Sequence, residues 1–380
     1  MKVVVGLSGG VDSSVVAALM QQKGHEVIGV FMKNWEPLDE QALGDCPWEV
    51  DQADAEAVCK HLGIEFRSVN FEREYRERVV EYFLREYEAG RTPNPDVLCN
   101  RDIKFDAFLQ FARNELGAEA IATGHYARVV EVNGQLKVGA GVDPLKDQSY
   151  FLYTLTHEQL SFAKFPLGEM TKVQVRELAT KFGLPTAKKK DSQGICFIGH
   201  LDVKKFLKES LGTKQGLTYL LPAYKAEQSF EDRLKASFVV GSHEGVGFYT
   251  VGERAGGIVD NGLYRHLNDN TQVPPLYVAW RDPLGNKLWV CQDARDADLF
   301  ANTLVVEDFC GDSDGLVGCD AQVRYHDHSP GKIISVEKRG DGLLLRLDPA
   351  PRAVAPGQSV VCYLDGVVVG GGVVKQVLPR

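Results

Sequence analysis

A β-branched run, Val3-Val4-Val5, leads directly into Ser8-Gly9-Gly10-Val11-Asp12-Ser13, and Val15, Val16, Leu19 and Met20 then recur at helical spacing. A short apolar run bounded by glycine reads as a buried strand, so the six-residue string is the turn between a first strand and a first helix. The alternation continues. Val27 to Met32 reads as a strand, Asp51 to His61 as a helix, Arg67 to Asn70 as a strand and Glu72 to Tyr87 as a charged amphipathic helix ending at Gly90. Arg101 to Leu116 then reads as a helix and Ala120 to Thr123 as a strand. Such alternation predicts an α/β fold with a parallel, doubly wound sheet, whose ligand lies beyond the carboxyl ends of the strands. Phe31-Met32, Thr123-Gly124-His125 and the 8–13 turn would share that edge, with Met32 and Gly124 facing a nucleotide base.

A glycine-rich turn lets backbone N–H groups approach an anion, and the helix N-terminus adds about half a positive charge, so the turn reads as a phosphate site. It is neither G-x-x-x-x-G-K-[ST], whose lysine it lacks, nor G-x-G-x-x-G. Ser-Gly-Gly-x-Asp-Ser resembles the PP-loop of ATP pyrophosphatases, which hold pyrophosphate as leaving group and transfer AMP. That resemblance associates Asp12 with the Mg2+–pyrophosphate. The competing reading is a tight turn in which Ser and Asp merely cap a helix.

At 380 residues the chain is long enough for two or three cores. Its longest apolar runs fall short of the roughly 18 residues of a membrane helix. The first strand begins at residue 2 and leaves no room for a signal peptide, so the expectation is a cytoplasmic protein with reduced cysteines and no membrane partner. None of the eight cysteines forms C-x-x-C, which argues against a zinc or thioredoxin-type site. The net charge of −9 is unevenly spread: residues 161–208 hold ten basic and four acidic side chains, a segment charge of +6 that includes Lys188-Lys189-Lys190. Phosphate-backbone binding and a solvated lysine face are equally open on charge alone.

Arg128 to Gly139 reads as a hairpin turning at Asn133-Gly134, a type I′ signal. From residue 201 to 275 a lysine-rich helix and glycine-dense segments follow. After 276 only short β runs remain (276–280, 287–291, 303–306, 321–325, 332–337, 342–347, 359–363 and 366–374), which predict a small antiparallel barrel. The expected domains are thus 1–200, catalytic; 201–275, a small central adaptor; and 276–380, a C-terminal antiparallel β-barrel.

Two further segments carry chemistry. In Arg91-Thr92-Pro93-Asn94-Pro95-Asp96-Val97-Leu98-Cys99-Asn100 two prolines fix an extended loop. Asp96 and Cys99 follow three apart, on one face of a first helical turn, where a helix N-terminus favours thiolate. A proline-rich linker with a capping Asp and a buried Cys is the alternative. In Lys188-Lys189-Lys190-Asp191-Ser192-Gln193-Gly194-Ile195-Cys196-Phe197, Cys196 follows a polar, electropositive stretch that would activate a thiol. Two reactive cysteines fit a reaction that passes sulfur on and leaves a disulfide.

Together with Thr123-Gly124-His125-Tyr126, Lys146-Asp147-Gln148-Ser149-Tyr150-Phe151-Leu152, Arg324-Tyr325, Pro356-Gly357-Gln358 and Gly370-Gly371-Gly372, these strings resemble the bacterial tRNA-specific 2-thiouridylases over nearly the whole chain. The resemblance implies that Gly6, Leu7, Ser8, Gly9, Gly10, Val11, Asp12, Ser13, Met32 and Gly124 bind ATP. It implies that Asn94, Pro95 and Asp96 meet the target base, Asp96 as base or acid. Cys99 would be the nucleophile and Cys196 the persulfide carrier. His125, Lys146, Asp147, Gln148, Arg324, Tyr325 and Gln358 would contact tRNA.

The implied reaction uses ATP and Mg2+ to adenylate the C2 carbonyl of the wobble uridine. Persulfide sulfur on Cys196 then displaces AMP to give 2-thiouridine. The implied partners are tRNA, a sulfur-carrier protein or cysteine desulfurase, and an external thiol reductant. One loop departs from the family's G-Q-R-K-G-L: Gly252-Glu253-Arg254-Ala255-Gly256-Gly257 loses a lysine and gains a glutamate, which weakens phosphate attraction there. The rival readings are a PP-loop ligase that adenylates a small carboxylate or ureido substrate, and a catalytically silent tRNA- or nucleotide-binding protein.

Overall fold

The computed structural model describes residues 1–35, 48–190, 202–224, 227–267, 272–325 and 330–378. Cys46 and the whole of 191–197, Cys196 included, lie outside the described residues. The chain forms two compact units: 1–82, 95–202 and 363–369 make the first, and 83–94, 203–362 and 370–380 the second.

In the first unit, β1 (Lys2–Leu7) leads into α1 (Val11–Gln22), followed by β2 (Glu26–Lys33), α2 (Trp48–Leu62) and β3 (Glu65–Asn70). A long helix, α3, runs through Glu72–Tyr75, Arg76–Val80 and Glu81–Glu88, its residues from 83 onward belonging to the second unit, and a second, α4, runs through Pro95–Leu98, Cys99–Ala107 and Phe108–Asn114; the middle segment of each is π-wound. Then come β4 (Ala120–Ala122), a hairpin of β5 (Ala127–Val132) and β6 (Gln135–Ala140), β7 (Ala163–Lys164) and α5 (Lys172–Lys181). The sheet order β3-β2-β1-β4-β7 is parallel throughout, as the strand–helix alternation predicts.

Residue parity on β1 shows why this sheet is covered on both faces. Val3, Val5 and Leu7 pack with Val15, Val16 and Leu19 of α1, Val58 of α2 and Val175 and Ala179 of α5. A Cβ on Gly6, which points to the other face, would meet Phe108 of α4 and Met32 at 3.3 Å. Every residue of β1 from Val3 to Leu7 is buried, the burial that a central parallel strand requires. The hairpin turns at Asn133 (φ 52°) and Gly134 (φ 78°), both left-handed as a type I′ turn demands. Val367 pairs with Gly139, so residues 363–369 return to this unit.

The structure corrects one boundary near the site. The helix expected from Arg101 begins at Pro95, because proline is pre-set for the first helical position and Asp96 suits the first turn. Cys99 therefore sits inside a continuous helix, at the start of its π-wound stretch.

In the second unit, α6 (Val203–Leu211) precedes β8 (Gly216–Leu220) and β9 (Phe238–His243), which join β10 (Tyr277–Asp282) and β11 (Lys287–Cys291) in the order β10-β11-β8-β9. The runs at 276–280 and 287–291, expected in the C-terminal barrel, thus hydrogen-bond to the preceding segment instead. Trp289 and Cys291 of β11 pack with Leu221, Ala279 and Leu299, and apolar burial there outweighs proximity in sequence. Beside this core, Arg233, 1% exposed, pairs with Asp298 and donates to the Pro222 carbonyl.

The barrel itself comprises β12 (Thr303–Gly311), β13 (Asp320–Gln322), β14 (Gly331–Arg339), β15 (Gly342–Asp348), β16 (Ser359–Leu364) and β17 (Val367–Leu378). Their order is β12-β15-β14-β13-β16-β17, and pairing of β12 with β17 closes it. Closure removes the free edges an open antiparallel sheet would expose. No helix among the described residues is long and apolar enough to cross a membrane.

Candidate active site

The 8–13 turn is shaped by its serines. Ser13 Oγ accepts from the Ser8 N–H at 3.1 Å and donates to the Gly10 carbonyl at 3.3 Å, and Ser14 Oγ donates to the same carbonyl at 2.7 Å. Gly10, the residue before α1, carries no side-chain cap, so the first-turn N–H groups of α1 face the turn without a side-chain partner there. That is the donor set an anion needs. Gly9 is left-handed at φ +70°, and a Cβ on it would lie 2.4 Å from the Asp51 carbonyl oxygen. Here only glycine fits.

Several elements converge on this turn. A Cβ on Gly124 would sit 3.1 Å from Ser13 N and 3.3 Å from Asp12 Cβ, so the end of β4 packs against the turn with no side chain between. Met32 lies over Gly6 beside Phe108. Residues 6–13, Met32 and Gly124, expected together from sequence, are therefore brought together, and the helix carrying Asp96 and Cys99 packs on the same face. Asp96 and its neighbours Asn94 and Pro95 are half-exposed, whereas Cys99 is fully buried.

Burial pushes the thiols of Cys59, Cys291 and Cys362 up to about 12, which leaves them protonated and inert at neutral pH.

Asp12 has two partners that sequence reasoning missed. Its carboxylate accepts from Lys172 Nζ at 2.7 and 2.9 Å and from Tyr126 Oη at 2.9 Å. Lys172 is 160 residues away in the chain, so no local pattern signals the pair. Lys189 is held by Asp51 at 2.7 Å and Asp54 at 2.5 Å, both on α2. Asn34, 2% exposed just beyond β2, has no hydrogen-bond partner for either amide atom among the described residues. Its position one residue past a strand at the ligand-binding edge is the signal that could have found it.

His125, expected at a tRNA contact, is buried. Its Nδ1 lies 2.8 Å from Thr123 Oγ1, and its Nε2 lies 3.1 Å from Asn100 Oδ1 and 3.4 Å from Lys104 Nζ. Asn100 donates its amide N–H to the Phe151 carbonyl at 3.2 Å, so its oxygen faces the ring. Burial first, and the Lys104 ammonium second, push the His125 pKa well below the ordinary 6.5. The native state therefore keeps this histidine neutral while the unfolded chain protonates it below pH 6.5. Stability from this group is present above that pH and is lost as pH falls toward the depressed native value, at up to about 1.4 kcal/mol per pH unit. Urea unfolding at pH 7 and pH 5.5 should show a smaller loss in His125→Gln than in the parent; equal losses would contradict the assignment.

The other expected tRNA contacts carry framework bonds. Asp147 accepts from the Gly141 and Ser149 N–H groups at 2.8 and 3.1 Å and from Ser149 Oγ at 2.9 Å; burial raises its pKa against those bonds. Gln148 Oε1 accepts from the Tyr126 N–H at 3.1 Å, while Lys146 beside it is half-exposed. In the second unit, Gln358 donates to the Thr92 carbonyl at 2.8 Å, and the Thr92 N–H donates to the Pro356 carbonyl at 2.8 Å. Gly357 is left-handed there, because a Cβ would lie 2.8 Å from Thr92 N. The barrel thus clamps the residues that lead to Asn94. Arg324 and Tyr325 are half-exposed beside β13.

The basic segment is more neutralised than its composition implies. Besides Lys172 and Lys189, Lys204 pairs with Glu253 and Lys208 with Glu244. The glutamate that the 252–257 loop gains therefore has a structural task, and Lys164, Lys181, Lys188 and Lys190 remain exposed.

Three family models match the chain: a tRNA methyl transferase HUP domain over residues 1–200, a tRNA methyl transferase PRC-barrel domain over 204–292 and an aminomethyltransferase beta-barrel domain over 306–374. The chain is 44% identical over 383 residues to the tRNA-specific 2-thiouridylase MnmA of Salmonella arizonae, covering 100% of this chain and 98% of that one. It is 44% identical over 384 residues to the MnmA of Pectobacterium carotovorum, covering 99% and 97%. The chain belongs to the tRNA-specific 2-thiouridylase family.

Proposed function

We propose that this protein is an ATP-dependent sulfurtransferase that converts the wobble uridine of tRNA to 2-thiouridine. The observation that carries the reading is the uncapped start of α1 with Gly124 packed against it, while α4, the helix of Asp96 and Cys99, reaches Gly6 and Met32 through Phe108 and His125 through Asn100. A nucleotide-activating loop and a base-and-thiol helix are what this chemistry requires together.

An oxygen on C2 of uracil is a poor leaving group, so sulfur cannot displace it directly. AMP transferred to that oxygen makes it a good one, and pyrophosphate leaves at the 8–13 turn. Residues 6–13, Met32 and Gly124 hold ATP. The Asp12 carboxylate is the oxygen ligand that suits Mg2+, which neutralises phosphate charge when bound. Asn94, Pro95 and Asp96 receive the uridine, flipped from its stack, which costs little in an anticodon loop. Cys196 carries the persulfide delivered by a sulfur-carrier protein or desulfurase, Cys99 completes the transfer, and an external thiol reduces the resulting disulfide.

Lys146, Arg324, Tyr325 and the exposed lysines of the basic segment contact tRNA, while His125, Asp147, Gln148 and Gln358 position the backbone around the site. In this reading the catalytic segment is 1–200, and the barrel contributes to tRNA binding. Release of AMP and pyrophosphate that requires tRNA tests the reading. Release triggered instead by a small carboxylate or ureido compound, with tRNA inert, would favour the ligase alternative.

A further inference from the structure

Asn34 is 2% exposed, yet neither its Oδ1 nor its Nδ2 has a hydrogen-bond partner among the described residues. Folded proteins pair the large majority of enclosed polar groups, because one left without a partner has lost its water for nothing. We infer that Asn34 is a specificity residue for the nucleotide, whose amide reads the amino edge of adenine. Its Oδ1 accepts from the 6-amino group and its Nδ2 donates to a ring nitrogen beside it. The inference rests on the reading of the 8–13 turn and Met32 as an ATP site.

The strand register places the amide. Leu7, the last residue of β1, is in register with Phe31 of β2, so the 8–13 turn begins level with Met32. Asn34 stands two residues further along, about 7 Å at the rise of a strand, and that spacing returns a side chain to the face of Met32. A nucleotide with its phosphates on the turn and its base against Met32 brings the edge of that base to Asn34.

The neighbours of Asn34 in the chain are anchored. The Lys33 carbonyl accepts from the Phe71 N–H at 2.8 Å. Lys33 Nζ lies 3.2 Å from Glu72 and 4.2 Å from the centre of the Trp48 ring, and Trp35 is buried. An amide preplaced in this way loses little freedom when a ligand arrives.

Adenine sets a donor, its 6-amino group, between two ring-nitrogen acceptors. An amide offers the complementary acceptor and donor, the pairing by which asparagine reads adenine in nucleic acids. Uracil also carries a donor beside an acceptor, but its proposed receiving residues, Asn94 to Asp96, belong to a different segment.

The test uses the full chain and compares the parent with Asn34→Leu, close in volume and without polar atoms. Titration calorimetry measures ATP, pyrophosphate, and purine riboside triphosphate, which lacks only the 6-amino group; thermal melting follows the free proteins. The parent should prefer ATP to purine riboside triphosphate by about fivefold or more, the worth of one hydrogen bond. Asn34→Leu should weaken ATP about tenfold to a hundredfold, the range for a bidentate amide–adenine pair. The loss for purine riboside triphosphate should be about fivefold smaller, since one of its two bonds is already absent, and pyrophosphate should be unaffected. The free variant should melt no lower than the parent, because it encloses no polar group without a partner. A parent without preference between the two triphosphates overturns the inference, whatever the variant does. So does an equal loss for both in Asn34→Leu, which would make the amide a support of the fold. Unchanged ATP affinity with a raised KM for tRNA overturns it too and gives the amide to the target base. A parent that binds neither ATP nor pyrophosphate overturns the nucleotide reading itself, a distinguishable result.

Discussion

Cys99→Ser and Cys196→Ser should each leave tRNA unthiolated, with a rate loss of at least about a thousandfold, as expected for removal of a covalent group. A serine hydroxyl at neutral pH carries almost no alkoxide and cannot hold sulfane sulfur or form a disulfide, so neither role survives. Cys99 is fully buried within α4, and its loss removes a sulfur atom with little change of volume. The turn proposed to hold ATP is separate from it in sequence, so Mg·ATP affinity should stay within about twofold, the additivity expected of sites without shared partners. Nucleoside analysis of treated tRNA reads the first quantity and equilibrium nucleotide binding the second. Full thiolation by either variant would remove the two-cysteine scheme.

Gly9→Ala should be the most damaging single methyl in the turn. The left-handed backbone at φ +70° costs an alanine about 1–2 kcal/mol. The added Cβ also falls 2.4 Å from the Asp51 carbonyl and 2.8 Å from Asp51 Cα, backbone atoms of α2 that cannot rotate aside. Either the turn or α2 must move, and the total should reach about 2–4 kcal/mol, or several degrees in melting temperature at about 2–4 °C per kcal/mol. ATP binding should fall with it, because the displaced N–H groups are the anion donors in the proposed function. Gly134→Ala is the control: φ is +78° but nothing lies within 4 Å of the added Cβ, so only backbone strain remains. A Gly9→Ala protein as stable as Gly134→Ala, with parental ATP affinity, would contradict the geometry.

Much of this architecture was legible in the residues because local patterns governed it. The Val3–Val5 run and the Asn133-Gly134 turn each have one economical conformation, and β1, β2 and the hairpin follow. The 8–13 string falls between β1 and α1 by the same logic, since strand, glycines and helix start are contiguous.

What was not legible depends on partners distant in sequence. The π-wound stretch from Cys99 to Ala107 answers to packing around α4, and nothing in its own residues announces it. Lys172 reads as one of ten scattered cations until Asp12, far away in the chain, claims it. His125 looks like an edge residue, yet Asn100, Lys104 and Thr123 enclose it. Strands β10 and β11 look like barrel strands, because hydrophobic alternation identifies a strand without naming its neighbour.

The most direct test of the account is nucleoside mass spectrometry of tRNA incubated with the full chain, Mg·ATP and a persulfide donor, with ATP omitted from a parallel sample. The wobble uridine should gain the mass of one oxygen exchanged for one sulfur, only when ATP is present. No exchange, although Cys196 demonstrably carries a persulfide, would contradict it.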